Sequence, residues 1–423
     1  MVVSARRARA VRFGRGISAR RFFMTQIAIL GFGVVGGGVA DLLAEREAEV
    51  AALAGDTVKI KYILDLRDFP DSPFGDLVIH DFSVIENDPE ITAVIEVMGG
   101  AHPAYEYTLR ALRAKKHVIT SNKEVVATYG TQFLAAAEEN GVCYRFEASV
   151  GGGIPVIEPI LSVLRQNRIT EVRGILNGTT NYILTKMFTF GESFSAALAD
   201  AQSKGYAERN PDADVLGTDA CRKIAILTAL VTGESPSPDL IPTAGITDIR
   251  VADIRHAATV GATVKLIGRC RLSEDGRADV LVSPHLVPGD SPLASVNGVY
   301  NAIEVIGDPV GNVLFYGRGA GAGPTASAVV GDLALILRSG IHAAPAKFRP
   351  AREGFLRPKA EYTARRYVSL AREPQDLAAR FPTAKRIVCE DGECAFLTEE
   401  MSDAALARAL DGLSPLASLP VLS

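Results

Sequence analysis

Short apolar runs alternate with helical patterns through the first part of the chain. The first run, residues 27–30, is followed at once by a glycine-rich turn and then by helical periodicity over residues 39–53. Later runs at 59–64, 92–97 and 117–120 end in glycine or polar residues. Strands that alternate with helical patterns are typical of βαβ units and of a parallel sheet. The pattern therefore predicts an α/β fold for this part of the chain.

The turn after the first strand indicates a nucleotide site. Gly31 permits a tight turn, Gly33 lets the backbone approach a pyrophosphate, and Gly36 lets helix and strand pack closely. The helix that follows presents unpaired N–H groups to phosphates. Because the glycines lie between a predicted strand and a predicted helix, a dinucleotide site is favoured over a glycine-rich turn without a ligand. The predicted cofactor contacts here are Gly31, Phe32, Gly33, Val34, Val35 and Gly36.

Polar residues and glycines follow the later strands, at the carboxyl ends where ligands bind in parallel sheets. Asp65 could accept a hydrogen bond from a ribose 2′-hydroxyl, which favours NAD, whereas Arg67 could bind the 2′-phosphate of NADP. Asp65 could also be a strand-end turn residue, so the choice of cofactor stays open. Taken alone, Lys123 would be a solvated loop lysine. Further candidates for cofactor contact after these strands are Met98, Gly99, Asn122 and Lys123.

The segment 204–223 combines three carboxylates with the lysine that ends it. In a helix, Asp219 and Lys223 would share one face, and Lys223 would border an apolar stripe. The stripe comprises Leu216, Ala220, Ile224, Leu227 and Val231. Partial burial lowers the pKa of a lysine and nearby carboxylates raise it, so such a lysine can exchange a proton near neutral pH. On spacing alone, an ordinary surface ion pair is the simpler interpretation.

The pattern in the second half of the chain predicts a second domain after a glycine-rich stretch. A glycine-rich stretch at 150–155 follows a predicted strand at 142–147 and suits a domain crossover or a backbone cage. A helix at 157–166, a strand at 171–176 and a turn beginning with Asn177 are predicted next. The predicted elements farther along are helices at 327–337, 374–381 and 402–413 and strands at 366–370, 384–388 and 394–397.

Several motifs in order resemble those of the homoserine dehydrogenase family: GFGVVG, TSNK, FEASVGGGIP, GILNGTTNYIL, KGYAE with PDADVLGTDACRK, and GRGAGAGPTAS. The resemblance covers residues 25–345 and implies a Rossmann-type nucleotide-binding domain followed by an α+β substrate and dimerisation domain. The tail resembles an ACT domain, a small regulatory α+β unit, although Pro374-Gln-Asp-Leu377 replaces the usual Pro-Gly-Val-Leu opening of its first helix. With the Arg-rich composition of the first residues, the predicted boundaries are a disordered extension at 1–23, the nucleotide domain at 24–152, the substrate domain at 153–318, a return helix packing on the nucleotide domain at 319–345, and a linker with the ACT-like region at 346–423.

The resemblance also implies an activity. Members of the family reduce L-aspartate 4-semialdehyde reversibly to L-homoserine with NADH or NADPH, in threonine, methionine and isoleucine biosynthesis. Lys223 would be the general acid/base, with Asp219 and Lys123 beside it. The implied substrate contacts are Glu208, Asp214, Asp219, Thr179, Tyr206 and Lys123, and the further cofactor contacts are Gly205, Gly319 and Gly321. The alternatives are a Rossmann oxidoreductase for another carbonyl substrate and a non-catalytic dinucleotide sensor.

The resemblance implies a sodium site as well. The ion would be held by backbone carbonyls of Glu147, Val150, Gly152 and Ile154, a set that leaves no side-chain signature. The family further implies a homodimer or a tetramer and a small-molecule substrate.

Composition excludes several other classes of function. Of 423 residues, 48% are hydrophobic and 22% are charged, and no apolar run is long enough to cross a bilayer. Residues 1–23 contain seven arginines and no acid or lysine, so they could be an organellar transit peptide or, more simply, an unstructured extension ahead of Met24. Without those seven charges the formal net charge falls from −4 to −11, which argues against nucleic acid as a partner. Five scattered cysteines predict no disulfide framework and fit the cytoplasm.

Overall fold

The computed structural model describes residues 24–340, 345–390 and 393–423, so the Arg-rich extension and residues 341–344 lie outside it. Its first unit is a six-stranded, wholly parallel sheet in the order β3-β2-β1-β4-β5-β6. This is the strand order of a dinucleotide-binding Rossmann fold. The strands are β1 (Thr25–Leu30), β2 (Val58–Leu64), β3 (Val78–Ile79), β4 (Ile91–Glu96), β5 (His117–Thr120) and β6 (Tyr144–Arg145).

Helices connect these strands as the alternating pattern predicts. The periodicity over residues 39–53 forms two helices rather than one, because the chain leaves helical geometry at Arg46 (φ −119°, ψ 30°). The first of the two also begins earlier than predicted, directly after Gly33. The helices are α1 (Val34–Glu45), α2 (Glu47–Ala54), α3 (Phe82–Asn87), α4 (Ala104–Arg113) and α5 (Lys123–Asn140).

The second unit is built on a five-stranded antiparallel sheet in the order β10-β9-β7-β11-β12. Its helices pack mainly on one another and on this sheet, within the largest apolar core. The predicted helix 157–166 ends at Leu161. The elements are α6 (Ile157–Leu161), β7 (Arg168–Ile175), α7 (Gly178–Phe190), α8 (Phe194–Ser203), α9 (Asp212–Val215), α10 (Thr218–Thr232), β8 (Glu234–Ser235), α11 (Val251–Thr259), β9 (Ala262–Leu272), β10 (Ala278–Pro288), β11 (Tyr300–Asp308) and β12 (Gly311–Arg318).

The chain then returns to the nucleotide domain through α12 (Ala322–Ser339), which is longer than the predicted helix 327–337. Val329 and Leu333 of α12 share a buried apolar cluster with Ile27 and Val39 of the nucleotide domain. The contact between α1 and α12 is close, because a Cβ on Gly38 would lie 3.2 Å from the Ala322 carbonyl oxygen. The return helix therefore covers one face of the parallel sheet.

The tail forms a four-stranded antiparallel sheet in the order β16-β17-β15-β19. Its strand–helix–strand–strand–helix–strand connectivity is the ferredoxin-like split arrangement that an ACT-like unit requires. The last strand was not predicted from the sequence. The elements are β13 (Arg349–Pro350), β14 (Thr363–Ala364), β15 (Arg366–Leu370), α13 (Leu377–Arg380), β16 (Lys385–Glu390), β17 (Glu393–Leu397), β18 (Met401–Ser402), α14 (Asp403–Ala409) and β19 (Pro415–Pro420).

Helix α10 carries the segment that the sequence singled out, and its surroundings differ from the predicted amphipathic face. It is buried on nearly all sides, so Lys223 lies within the core and not at its border. Leu216 was wrongly assigned to the apolar stripe, since it precedes the helix and is 49% exposed. Among the described residues, no helix combines the length and the apolar character that a membrane span needs.

Candidate active site

The glycine turn between β1 and α1 has the geometry expected of a phosphate site. Gly31 has φ +93°, where a side chain would be strained, and a Cβ on Gly36 would lie 2.0 Å from the Gly31 carbonyl oxygen. A Cβ on Gly33 would meet no atom within 4 Å, so the backbone there is open to a ligand. Val34 is 76% exposed and Val35 is half-buried, and no side chain caps the N-terminus of α1. The backbone N–H groups at this end of α1 can therefore face a phosphate.

Asp65 and Arg67 lie together at the end of β2. The carboxylate of Asp65 accepts from the backbone N–H of Phe32 at 2.8 Å and from the Arg67 guanidinium at 3.0 and 3.1 Å. Burial would raise the pKa of Asp65, but these donors outweigh it and lower the pKa to about 2. Arg67 is 64% exposed at its side chain. Asp65, the candidate ligand of the NAD ribose, and Arg67, the candidate ligand of the NADP 2′-phosphate, thus form an ion pair next to the phosphate turn.

Met98, Gly99 and Asn122 lie at the carboxyl ends of β4 and β5. Asn122 caps α5, since its side-chain oxygen accepts from two backbone N–H groups, and its amide nitrogen donates to the Gly100 carbonyl at 2.7 Å. Met98 packs on the phosphate turn, because a Cβ on Gly31 would lie 3.0 Å from Met98 Cγ. The loops after three neighbouring strands are therefore in contact.

Asp219 joins two lysines that come from different domains. Its Oδ2 lies 2.7 Å from Lys223 Nζ, and its Oδ1 lies 2.5 Å from Nζ of Lys123, the first residue of α5. Lys223 also donates to the Leu176 carbonyl at 2.8 Å. The side chain of Lys223 is only 8% exposed, whereas that of Lys123 is 40% exposed. Lys123 is thus part of a charged cluster and is not the solvated loop lysine that its sequence position alone suggested.

The charges in this cluster shift one another. Burial would raise the pKa of Asp219, but Lys223 and Lys123 outweigh it, so its pKa is held well below the usual range. Burial lowers the pKa of Lys223 and is only partly opposed by the charge of Asp219. Partial burial acts the same way on Lys123, yet Asp219 prevails there and the pKa is raised. A permanently ionised carboxylate therefore holds a lysine from which a proton leaves more easily than in water.

Asn177 completes the cluster, a role that was not predicted from the sequence. Its amide nitrogen donates to Asp214 Oδ1 at 2.7 Å and to Asp219 Oδ2 at 2.9 Å. Its amide oxygen accepts from the N–H of Thr180 and so caps α7, which fixes the orientation of the amide. Burial raises the pKa of Asp214 although Asn177 donates to it. The contacts of Asn177 span 37 and 42 residues, so no local pattern predicts them. The only sequence feature that pointed to this position was the Asn-Gly turn.

Of the remaining predicted substrate residues, Tyr206 and Glu208 lie on the connection between α8 and α9, and Thr179 lies on α7. Thr179 of α7 donates through Oγ1 to the Tyr206 carbonyl at 2.6 Å, so it ties this connection to the first turn of α7. Tyr206 is 43% exposed, and Gly205 has φ +71° with no atom within 4 Å of a Cβ built on it. The side chain of Glu208 is exposed and makes no hydrogen bond or ion pair with any described residue. Its carboxylate is available to a ligand and is not held near Lys223 by the protein.

The four predicted carbonyl ligands lie on the crossover between the domains. Among described residues, none donates a hydrogen bond to the carbonyls of Glu147, Val150, Gly152 and Ile154. The Glu147 carboxylate is already engaged, because it accepts from three backbone N–H groups at the start of α6. Gly152 has φ +57°, and a Cβ there would lie 2.6 Å from the Gly319 carbonyl oxygen. Oxygen atoms without hydrogen-bond donors fit a hard cation such as sodium.

Positions 319 and 321 do not accommodate a side chain without strain. A Cβ on Gly319 would lie 2.0 Å from the side chain of Asn301, and Gly321 has φ +123° directly before α12. This segment passes next to the crossover at Gly152. The structure therefore places these glycines where the two domains meet.

The Rossmann sheet, its phosphate turn and the lysine–carboxylate cluster at the domain junction define the class of protein: a dinucleotide-dependent oxidoreductase. Family models agree with this class. The model described as "Homoserine dehydrogenase, NAD binding domain" matches residues 31–147, and the model described as "Homoserine dehydrogenase" matches residues 155–334. The chain belongs to the homoserine dehydrogenase family.

Individual relatives show the same similarity. The chain is 44% identical to the homoserine dehydrogenase of Synechocystis over 316 residues, which cover 73% of this chain and 72% of that protein. It is 42% identical to the Pseudomonas aeruginosa enzyme over 315 residues, with coverages of 74% and 72%. Among solved structures, the homoserine dehydrogenase of Thiobacillus denitrificans matches with a TM-score of 0.88 at 32% identity, over 95% of this chain and 99% of that one.

Proposed function

We propose that this protein catalyses the reversible reduction of L-aspartate 4-semialdehyde to L-homoserine, a step of threonine, methionine and isoleucine biosynthesis, and that Lys223 is its general acid/base. The observation that carries the proposal is the state of the Lys223 ammonium. It has three N–H groups, and two of them are taken by Asp219 and the Leu176 carbonyl. The third is available to a substrate oxygen.

The residues of the cluster have distinct tasks in the reduction. The glycine turn at Gly31, Gly33 and Gly36 would hold the dinucleotide, which would supply a hydride for the carbonyl carbon. As charge develops on the carbonyl oxygen, Lys223 gives its third proton to that oxygen, and in the oxidation direction the neutral amine takes a proton from the hydroxyl. Asp219 stays ionised and holds Lys223 in place. Lys123 adds a second positive charge near the same oxygen and stabilises it.

The substrate is an amino acid, so its ammonium and carboxylate groups also need partners. Asp214 and Glu208 form no ion pair with any described lysine. We assign them, together with Asp219, to the substrate ammonium. Thr179 and Tyr206 border the same connection and supply its polar wall. The half-exposed ammonium of Lys123 is suited to the substrate carboxylate as well.

NAD or NADP is the proposed cofactor, on the glycine turn, with Asp65 or Arg67 at the adenosine ribose. A solved archaeal homoserine dehydrogenase mutant in complex with NADPH matches this chain with a TM-score of 0.64 at 27% identity, over 74% of this chain and 97% of that one. This supports a nicotinamide dinucleotide and leaves both forms as candidates. The open phosphate turn at Gly33 accommodates either form.

We also propose a sodium ion at the carbonyls of Glu147, Val150, Gly152 and Ile154. These oxygens would hold the ion, which would fix the crossover between the two domains by its charge. A homodimer or tetramer and a cytoplasmic location complete the proposal. The thiols of Cys143, Cys221 and Cys270 are free, which is consistent with a reducing compartment.

Steady-state spectrophotometry of the purified protein tests the proposal. We expect oxidation of L-homoserine with NAD or NADP at a rate well above that of other hydroxy amino acids. Equal rates with several hydroxy amino acids would indicate an oxidoreductase for another carbonyl substrate. Tight dinucleotide binding without turnover of any of them would indicate a sensor.

A further inference from the structure

Glu96 is a buried acid for which the proposed mechanism has no task. It is the last residue of β4, at the centre of the parallel sheet, and it is 0% exposed. No lysine, arginine or histidine among the described residues forms an ion pair with it. A buried carboxyl group without a cation is costly unless hydrogen bonds satisfy it. Its hydrogen bonds must therefore satisfy the carboxyl group.

The bonds form a closed ring. Glu96 Oε1 accepts from the Met98 N–H at 2.8 Å, and Oε2 lies 2.6 Å from Thr120 Oγ1. Thr120 Oγ1 accepts from the Asn122 N–H at 2.9 Å, and the Asn122 amide donates to the Gly100 carbonyl at 2.7 Å. Gly100 lies two residues from Met98, which closes the circuit. We call Glu96, Met98, Gly100, Thr120 and Asn122 the carboxyl-end ring.

The carboxyl-end ring joins the parts of the site that must act together. Met98 packs on Gly31 of the phosphate turn. Asn122 caps α5, whose first residue, Lys123, forms the ion pair with Asp219. The ring thus lies between the dinucleotide turn on one side and the charged cluster on the other.

We propose that Glu96 is a positioning residue, whose carboxyl group closes the carboxyl-end ring and thereby holds the loop after β4 and the start of α5 in the geometry that binds the dinucleotide and aims Lys123. The proposal rests on the proposed function only for the choice of a nicotinamide dinucleotide as the probe.

The chemistry of a buried carboxyl group suits this task. Backbone N–H groups just beyond a strand end have no ladder partner and must find another acceptor. A carboxyl group offers two oxygens, so it can accept from two loops at once. Burial raises the pKa of Glu96 to about 7, so a neutral form is accessible in which Oε2 donates to Thr120 Oγ1. A glutamine could reproduce the two bonds of that neutral form, since its carbonyl oxygen can accept from the Met98 N–H and its NH2 group can donate to Thr120 Oγ1.

The test measures the dissociation constant of NADH and NADPH by fluorescence, without substrate, and then kcat and KM with homoserine. For Glu96→Ala we expect the dissociation constant to rise at least about tenfold, the size expected when a buried donor loses its acceptor, with a fall in kcat. For Glu96→Gln we expect values within about threefold of wild type, because the amide restores both bonds. The KM for homoserine should rise as well, because the ring aims Lys123, which the proposed function places at the substrate carboxylate.

Two matched controls separate positioning from general stability. Glu234 is equally buried and binds Arg349 and Arg352 far along the chain, so Glu234→Ala should lower stability and leave dinucleotide affinity unchanged. If Glu96→Ala does not fold, Thr120→Val gives the same test, with Thr25→Val of β1 as its control. Wild-type affinity in Glu96→Ala or Thr120→Val, or equal losses in variant and control, would overturn the proposal. Absence of homoserine turnover in the wild type would refute the proposed function and leave this comparison of affinities valid.

Discussion

The ion pair between Lys123 and Asp219, 2.5 Å from Nζ to Oδ1, crosses the boundary between the nucleotide domain and the substrate domain. A second pair, Arg222 to Glu124 at 3.1 Å, joins the same two helices one residue farther along α5. Asp219 is buried, so its charge acts through a medium of low dielectric constant and is weakly screened. A buried carboxylate shared by two domains thus controls the charge of both lysines.

Replacement of Lys223 tests the assignment of the general acid/base. We expect Lys223→Ala to lower kcat by at least about a hundredfold, the usual effect of removing a general acid. Lys223→Arg should also be impaired, because a guanidinium keeps the charge but does not release a proton near neutral pH. Dinucleotide affinity, measured by fluorescence titration, should stay near that of the wild type in both variants.

The control for this prediction is Lys59→Met, which removes an exposed lysine of β2 that pairs with Glu47. Its kcat should match the wild type. Normal turnover by purified Lys223→Ala would remove Lys223 from the mechanism and leave Lys123 as the candidate.

Asp219→Asn should make stability depend on pH in a defined direction. Without the carboxylate, burial lowers the pKa of Lys223 further, so the folded state binds fewer protons than the unfolded state at neutral pH. Stability then rises with pH, up to the pKa of an unfolded lysine. We expect the variant to be less stable than wild type at about pH 6, and the difference to shrink by about 1 to 3 kcal/mol by about pH 9, since each pKa unit is worth about 1.4 kcal/mol.

Urea unfolding at both pH values measures this effect. Asp214→Asn is a suitable comparison, because Asp214 forms no ion pair with a described cation and its charge raises the pKa of Lys223 less than the charge of Asp219 does, so its loss should change the pH dependence less. A pH-independent difference between Asp219→Asn and wild type would mean that Lys223 keeps its charge without a partner.

Two substitutions of Asn177 test its hydrogen bonds to Asp214 and Asp219 while an oxygen that can cap α7 is kept. Asn177→Ser keeps an oxygen that can cap α7 but removes both N–H donors. Asn177→Asp keeps the cap and places a third carboxylate against Asp214 and Asp219. We expect both variants to lose kcat, with the larger loss in Asn177→Asp, because like charges that are buried together repel strongly. Equal activity of Asn177→Asp and wild type would show that these contacts do not matter for catalysis.

The parts of the site that the sequence predicted depend on neighbours along the chain. The roles of Gly31 and Gly36 follow from a strand, a turn and a helix in immediate succession, and the structure confirms the resulting fold. The pairing of Asp219 with Lys223 follows from helical spacing. Local rules of this kind involve only a few residues, so a single sequence is enough to apply them.

The parts that escaped prediction depend on contacts between distant segments. Asn177 reaches Asp214 and Asp219 only because α7 and α10 pack together, and no local pattern encodes that. Helix α10 reads as amphipathic, yet the packing around it buries Lys223 as well. The strand β19 begins and ends with proline, which weakens a strand signal, and it is specified mainly by its pairing with β15.

Arg67 should influence the choice between NAD and NADP. A 2′-phosphate would compete with Asp65 for the exposed guanidinium of Arg67. A guanidinium group can bind a phosphate through two parallel hydrogen bonds. We expect Arg67→Ala to raise the dissociation constant of NADPH about tenfold or more while that of NADH changes little, since one charge-assisted hydrogen bond contributes about 1.5 to 3 kcal/mol. Fluorescence titration with both cofactors measures this. Equal changes for the two cofactors would place Arg67 away from the ribose.

The end of the chain, directly after β19, joins the tail to the substrate domain. Leu422, just after β19, is 3% exposed and packs in a cluster with Ile175, Val287 and Leu293 of the substrate domain. The backbone N–H of Leu422 donates to the Leu286 carbonyl at 2.8 Å, so the tail continues the edge of the antiparallel sheet. Ile175 directly precedes Leu176, whose carbonyl accepts from Lys223.

We therefore expect Leu422→Ala to destabilise the substrate domain and not only the tail, by about 2 to 4 kcal/mol, as for other buried leucines. Leu416, which is 40% exposed on β19, provides the control, and Leu416→Ala should cost well under half as much. Chemical denaturation followed by tyrosine fluorescence and by loss of homoserine oxidation should give one coincident transition in each variant. A tail that unfolds first, with activity retained, would show that the ferredoxin-like unit is independent of the catalytic sheet.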